Sequence, residues 1–182
     1  IEEAIAAFQD KTAWLELAVQ RDETVHAALE RLASQAVDAV QNGMQCLVLD
    51  DTAALQDGFD WLDPHLAVSR IDEALRQAPP GPHGNLRRRA GLIVRSAAIR
   101  GLHDLVLLCG FGADAINPYA LFAQALAAKD GAPSEEQSQV LLARLVENLH
   151  AGLEKVTSTM GCHELRGYGR VCSALGLAPT VA

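Results

Sequence analysis

The sequence predicts an α/β fold: alternating strands and helices forming a parallel sheet or partial barrel, followed by a C-terminal all-helical extension. Three observations predict it. Apolar runs such as 46–49 and 91–94 are continuous rather than alternating, as strands buried on both faces are. Between such runs lie stretches whose apolar residues recur every three or four positions, the period of a helix. Beyond residue 133 the strand signals stop and only helical periodicity remains.

Each element has its own reason. Residues 1–8 form a short amphipathic start, and Trp14, Leu15, Leu17 and Val19 predict a strand over 12–19. Val25, Leu29, Leu32, Ala36 and Val40 keep helical spacing. That helix stops at Asn42 and Gly43, since glycine tolerates the left-handed backbone of a C-terminal cap. Residues 45–50 are a buried strand. Pro64 opens a helix through Leu66, Ile71 and Leu75, and the Pro/Gly-rich stretch 79–84 is a loop. A strand over 90–94 leads to a helix over 97–109, with Leu102, Leu105, Val106 and Cys109 on one side and Gly110 as its stop. The last short strand is 113–116, after which Asn117 and Pro118 start a helix as cap and first residue. Past a loop at 129–133, Ser134 and Gln137 have the spacing of a capping box. A long helix follows, with Leu142, Leu145, Leu149, Leu153, Val156 and Met160 along one stripe and Gly161 at its end. A final helix covers 164–175 and closes at Gly176. The chain thus divides into an α/β domain, 1–129, and a helical segment, 134–182.

Composition narrows the function. With 49% apolar residues but only 4% aromatics, the core is built from Ala, Leu and Val. A formal charge of −8 repels phosphate backbones and argues against nucleic acid as a partner. The basic run Arg87, Arg88 and Arg89 reads as a solvated loop edge rather than an anion site. Cys46, Cys109, Cys162 and Cys172 are dispersed without a CxxC pair. They read as buried free thiols of a reducing compartment, not metal or iron–sulfur ligands. With no membrane-length apolar run and no visible signal peptide, the expectation is a cytoplasmic protein without a membrane partner. The chain opens at Ile1 rather than Met, so the expectation includes a missing N-terminus.

Two stretches carry a family resemblance. Residues 107–122, with Gly110, Phe111, Gly112, Ala113, Asp114, Asn117, Pro118 and Tyr119, resemble the central-domain motif of glutamate synthase. Residues 152–161, with Gly152, Leu153, Lys155, Val156, Ser158, Met160 and Gly161, are similar to the segment that opens that family's flavin domain. The similarity continues through Leu165, Tyr168 and Gly176, and looser matches at 47–51 and 91–94 keep the same order. The resemblance implies a complete enzyme with a glutaminase domain, a central linking domain, an FMN barrel with an iron–sulfur cluster, and a β-helix. That enzyme splits glutamine, channels ammonia, and condenses it with 2-oxoglutarate for reduction through FMN to glutamate. Ile1 stands where an N-terminal Cys nucleophile would be, clustered cysteines are lacking, and the flavin barrel would begin after Ala178. No catalytic or metal-binding residue is assigned. FMN and the cluster are implied only for a complete enzyme, not for this chain alone.

The chain also departs from the family. Arg70, Ile71 and Asp72 stand where a histidine pair is usual, residues 95–100 replace an acidic, glycine-containing loop, and Thr159 replaces a lysine. Lys155 and Ser158 are the cofactor-side candidates that the resemblance implies, with helix-surface or capping roles as the plain alternative. Arg95, Arg100 and Asp114 are candidates for holding a small anionic metabolite at the strand ends. Gly110 and Gly112 read as a turn rather than a phosphate cradle, because they follow a helix and lack a third glycine. Adjacent His103 and Asp104 read as a solvated helix face rather than an acid–base pair. Cys162 and His163 read as an inter-helix corner rather than a nucleophile site. The expected function is a non-catalytic linking part or subunit in glutamine-dependent glutamate synthesis. Its expected partners are glutaminase and FMN-domain polypeptides, or further copies of itself. The alternatives are a stand-alone binder of an anionic metabolite and a regulatory mimic of glutamate synthase.

Overall fold

The apolar run at 46–50 becomes a strand buried at all five positions, and the rest of the domain is arranged around it. A computed structural model describes residues 2–80, 84–127 and 133–162. The elements in chain order are α1 (Glu2–Ala7), β1 (Thr12–Glu16), β2 (Ala18–Gln20), α2 (Val25–Gln41), β3 (Cys46–Asp50), β4 (Phe59–Trp61), α3 (Pro64–Gln77), β5 (Gly91–Arg95), α4 (Leu102–Phe111), β6 (Ala115–Asn117), α5 (Tyr119–Leu126) and α6 (Glu135–Thr159). The predicted helix over 164–175 with its Gly176 stop, together with His163 and Cys172, lies outside the described residues.

Four strands form an all-parallel sheet in the order β1-β3-β5-β6, the order in which the chain supplies them. Each crossover is a helix, and all three land on one face. Leu15, Leu47, Leu49, Leu92 and Val94 point to that face and meet Ala28, Leu32, Ala36 and Val40 of α2, Ala67, Val68, Ile71 and Leu75 of α3, and Leu108 of α4. This is the arrangement that like-handed crossovers between neighbouring strands produce. On the opposite face Cys46, Val48 and Ile93 form a smaller cluster, covered by Ile5 of α1 and flanked by Ala115. The predicted α/β alternation and parallel sheet are therefore present, with a long helix, α6, on the C-terminal side.

Local signals explain most element ends. Thr24 caps α2 by accepting from the Ala27 amide, and Gly43 follows the helix at φ +94°. Asp63 caps α3 ahead of Pro64. The capping box of Ser134 and Gln137 is formed at the start of α6, and Gly161 follows its end at φ +73°.

Five details correct the expectations. The strand predicted over 12–19 is two strands: at Leu17, whose amide donates to the Asp50 carbonyl, the chain leaves the sheet. Residues 18–20 then pair antiparallel with β4, a three-residue strand too short to register as a pattern. The helix predicted from residue 97 begins at Leu102, because the Asp51 carboxylate captures the Ala97 amide and Gly101 is extended. It ends at Gly112, which sits in the left-handed region at φ +118°, rather than at Gly110. Asn117 is the last residue of β6, paired with Arg95, so Pro118 takes the cap position of α5 and no side chain caps that helix.

The fifth correction concerns Arg87, which is not a solvated loop edge: its side chain keeps 11% of its surface exposed. It donates to Asp72 (2.6 Å) and Asp114 (2.9 Å), and to the carbonyls of Ala90 (3.0 Å) and Gly112 (2.6 Å). Arg88 is exposed, as expected. Cys46 is buried, Cys109 and Cys162 are half-buried, and all three are free thiols.

Candidate functional site

Parallel α/β sheets carry their sites at the carboxyl ends of the strands. Here the inner residues at those ends are Asp50 of β3, Arg95 of β5 and Asn117 of β6, which lie side by side in register. Arg95 donates to the Asp50 carboxylate, and its guanidinium carbon sits 4.7 Å from the centre of the Tyr119 ring. The other Asp50 oxygen takes the amide (2.8 Å) and hydroxyl of Thr52. Burial alone would push the Asp50 carboxyl up. The Thr52 donors and Arg95 together outweigh it and hold the group below the usual carboxylate range.

Asp51, one residue further, joins three strand ends. It accepts from the Ser96 hydroxyl (2.6 Å) and the Ala97 amide (2.8 Å) on one oxygen, and from the Tyr119 hydroxyl (2.8 Å) on the other. Burial, followed by the bond to Asp51, holds the Tyr119 phenol far above its usual value, so it remains a donor. Arg95 offsets the Asp50 charge, and the buried Asp51 carboxylate is held by three hydrogen bonds from neutral donors. The layer can orient loops and fix α5 against the sheet, but it presents no free base or nucleophile.

Beside this layer a cleft of about 840 Å³ runs between β6 and helices α4, α5 and α6. Arg95, Asp114, Asn117 and His150 are among its polar lining residues, and Leu105, Phe122, Val146 and Leu149 are among its apolar ones. Cys109 also lines it, and burial, then the nearby Asp114 charge, pushes its thiol up to about 11. That thiol is inert at neutral pH.

The predicted site residues fall in different places. Arg95 belongs to the polar layer. Asp114 precedes β6 and lies at the amino end of the sheet, where the Leu92 amide (2.8 Å) and Arg87 hold it. Arg100 has an 85% exposed side chain and only a loose 3.8 Å approach to Asp104. The three do not converge on one ligand. Lys155 and Ser158 are exposed on α6. His103 is exposed, while Asp104 accepts from the Arg100 amide (2.9 Å) and so closes the loop before α4. Gly112 ends α4, and a Cβ there would meet Asp72 Oδ1 at 2.7 Å, so it makes a packed turn rather than a cradle. Cys46 lies on β3, Cys109 on α4 and Cys162 beyond the end of α6, and the described residues hold no group of three potential metal ligands. These residues do not fit an iron–sulfur cluster, and no step through one follows from them. Asp51 and Ser96 were not singled out as site residues from the sequence, and Asn117 and Tyr119 entered only as a helix cap and as part of the motif at 107–122. For Asp51 the signal was two consecutive aspartates closing an apolar strand.

Fold and site together define an open parallel α/β unit whose strand-end polar layer is satisfied internally. The chain belongs to the glutamate synthase central domain family, whose pattern it matches over residues 2–178. It is 27% identical over 161 residues to the glutamate synthase [NADPH] large chain of Bacillus subtilis, covering 87% of this chain and 10% of the relative. It is 31% identical over 173 residues to ferredoxin-dependent glutamate synthase 2 of Synechocystis, covering 85% and 10%. It is 31% identical over 160 residues to glutamate synthase [NADH] of Schizosaccharomyces pombe, covering 83% and 7%. The chain thus spans a tenth or less of these relatives' length. No described helix is long and apolar enough to cross a membrane.

Proposed function

We propose that this chain is a linking part of a glutamine-dependent glutamate-forming assembly and is not catalytic alone. The observation that carries this reading is the closed polar layer: Asp50, Asp51, Arg95 and Tyr119 are occupied by one another and by Thr52, Ser96 and Ala97. A catalytic strand-end site keeps a base, nucleophile or cation available to substrate. The linking role rests on membership of the central-domain family. FMN, the iron–sulfur cluster and the glutaminase nucleophile would come with the partner polypeptides, in a cytoplasmic setting.

Purification of the tagged full-length chain from its native cells, with mass spectrometry of what accompanies it, tests the reading. Stoichiometric recovery with glutaminase and FMN-domain polypeptides, or as one segment of a single polypeptide containing them, is the expected result. Recovery of the chain alone, with 2-oxoglutarate, glutamate, glutamine or FMN binding tighter than about 100 μM (about −5.5 kcal/mol) by calorimetry, would overturn it.

A further inference from the structure

We propose that Asn42 is a site of spontaneous modification: its side-chain amide is lost to attack by the Gly43 backbone nitrogen, leaving aspartyl and isoaspartyl residues at the end of α2. Of the four asparagines in the chain, Asn42 alone precedes a glycine; Asn85 and Asn148 precede leucines, and Asn117 precedes Pro118. That neighbour decides the chemistry. Its nitrogen must reach the asparagine Cγ, a side chain on it hinders the approach, and proline has no N–H to give up. Asn42 and Gly43 are both exposed, and a Cβ built on Gly43 would meet nothing within 4 Å, so solvent base and water reach the pair. The Gly43 nitrogen passes its proton to that base and bonds to Asn42 Cγ, and the side-chain nitrogen leaves as ammonia, closing a cyclic imide. One water molecule then opens the ring. Breaking the bond from nitrogen to Cγ leaves aspartate, and breaking the bond to the backbone carbonyl leaves the chain running through Cγ as an isoaspartyl link. No oxidant or reductant takes part.

The fold controls the reaction. The Gly43 amide donates to the Val40 carbonyl (3.1 Å) and the Met44 amide to the Ala39 carbonyl (3.0 Å), the paired bonds of a glycine-ended helix. While they hold, the attacking nitrogen is engaged, and Asn42 keeps a near-helical backbone at φ −80° and ψ 9°. Helix ends open locally at little cost, so the reaction proceeds from the frayed last turn. Its product cannot rebuild the cap. An isoaspartyl link adds a carbon to the main chain between the Asn42 Cα and the Gly43 nitrogen. Either product also sets a carboxylate at the negative end of the helix, one turn from Asp38. The modified residue lies ahead of the amino end of β3, whereas the polar layer built on Asp50 and Asp51 lies at the carboxyl end. It therefore loosens the connection from α2 to β3 without touching that layer. This goes beyond the linking role and does not depend on it.

The test is to age the full chain in mildly alkaline buffer, where the amide proton is lost most readily, and to follow each asparagine by peptide mapping and mass spectrometry. The expected result is conversion of amide to acid at Asn42 at least tenfold faster than at Asn85, Asn117 or Asn148, with both aspartate and isoaspartate formed. In the urea-unfolded chain Asn42 is expected to convert at least tenfold faster than in the folded one, because the cap no longer holds Gly43. The isoaspartyl form, separated by ion exchange, is expected to show at least tenfold faster hydrogen exchange at the Gly43 and Met44 amides, with β3 protection retained. Conversion at Asn42 no faster than at the other asparagines would overturn the site. Equal rates in the folded and unfolded chains would overturn control by the cap, and unchanged exchange at Gly43 and Met44 would overturn the loosening.

Discussion

Arg87 reaches two carboxylates and two carbonyls while its side chain is almost removed from water. Removing one member of a buried charge network leaves the remaining charge without compensation, which is where the large penalties arise. Arg87→Ala leaves Asp72, whose side chain is 9% exposed, with Arg76 alone, and is expected to cost about 3 kcal/mol in urea denaturation. Arg87→Lys is expected to recover less than half of that loss, because an ammonium cannot present the guanidinium fork. Asp50 supports a pH prediction. Its carboxyl lies below its usual value when folded, so its stabilisation is complete above the ordinary carboxylate range and is lost as pH falls through the lowered value. Asp50→Asn is therefore expected to be less stable than the native chain at pH 7, with the gap closing below about pH 4. Urea midpoints at pH 7, 5 and 3 measure it, and a gap that widened on acidification would contradict the assignment. Neither role was visible in sequence. Arg87 is one of three consecutive arginines, and its partners sit 15 and 27 residues away.

At the scale of elements, the contact between α4 and α6 depends on a glycine. A Cβ built on Gly152 would meet Leu102 Cδ2 at 2.5 Å, so the helices approach closely there. Leu102, Leu105 and Cys109 of α4 and Val156 of α6 pack around buried Val106 and Leu153 beside that contact. Gly152→Ala would gain about 1 kcal/mol of helix propensity in isolation, yet it is expected to lower the thermal midpoint because Leu102 must shift. Adding Leu102→Ala is expected to remove the clash, so the two substitutions show a favourable coupling of about 1 kcal/mol in a double-mutant cycle. Additive losses would mean that the close approach is not what Gly152 serves. The α6 stripe and its capping box were legible in the sequence because both depend on residues within a few positions of each other. The start of α4 was not, because Asp51, about 45 residues earlier, takes the Ala97 amide.

Across the whole molecule, burial is uneven. All five residues of β3 are buried, whereas no residue of α6 before Leu153 is. Amide exchange is therefore expected to be slowest in β3 and β5, opening only with global unfolding. The first half of α6 is expected to exchange orders of magnitude faster by mass-spectrometric hydrogen exchange. Equal protection in the two regions would show that α6 is held by contacts the intact fold does not reveal. The sheet, its parallel sense and its helical crossovers could all be read from the chain alone. Continuous apolar runs, three-and-four spacing, and cap residues such as Ser134 and Gly43 are local signals that burial and backbone geometry impose directly on sequence. Resemblance at 107–122 and 152–161 placed the family as well. What required the folded molecule was how distant polar groups are paired. Arg87 turns inward, Asp51 joins three strand ends, Arg95 is taken by Asp50, and Asp114 is carried to the opposite end of the sheet. The physical reason is that a charged side chain's partner is fixed by where the strands bring it in space. Hydrophobic periodicity records only which face each residue turns toward the core.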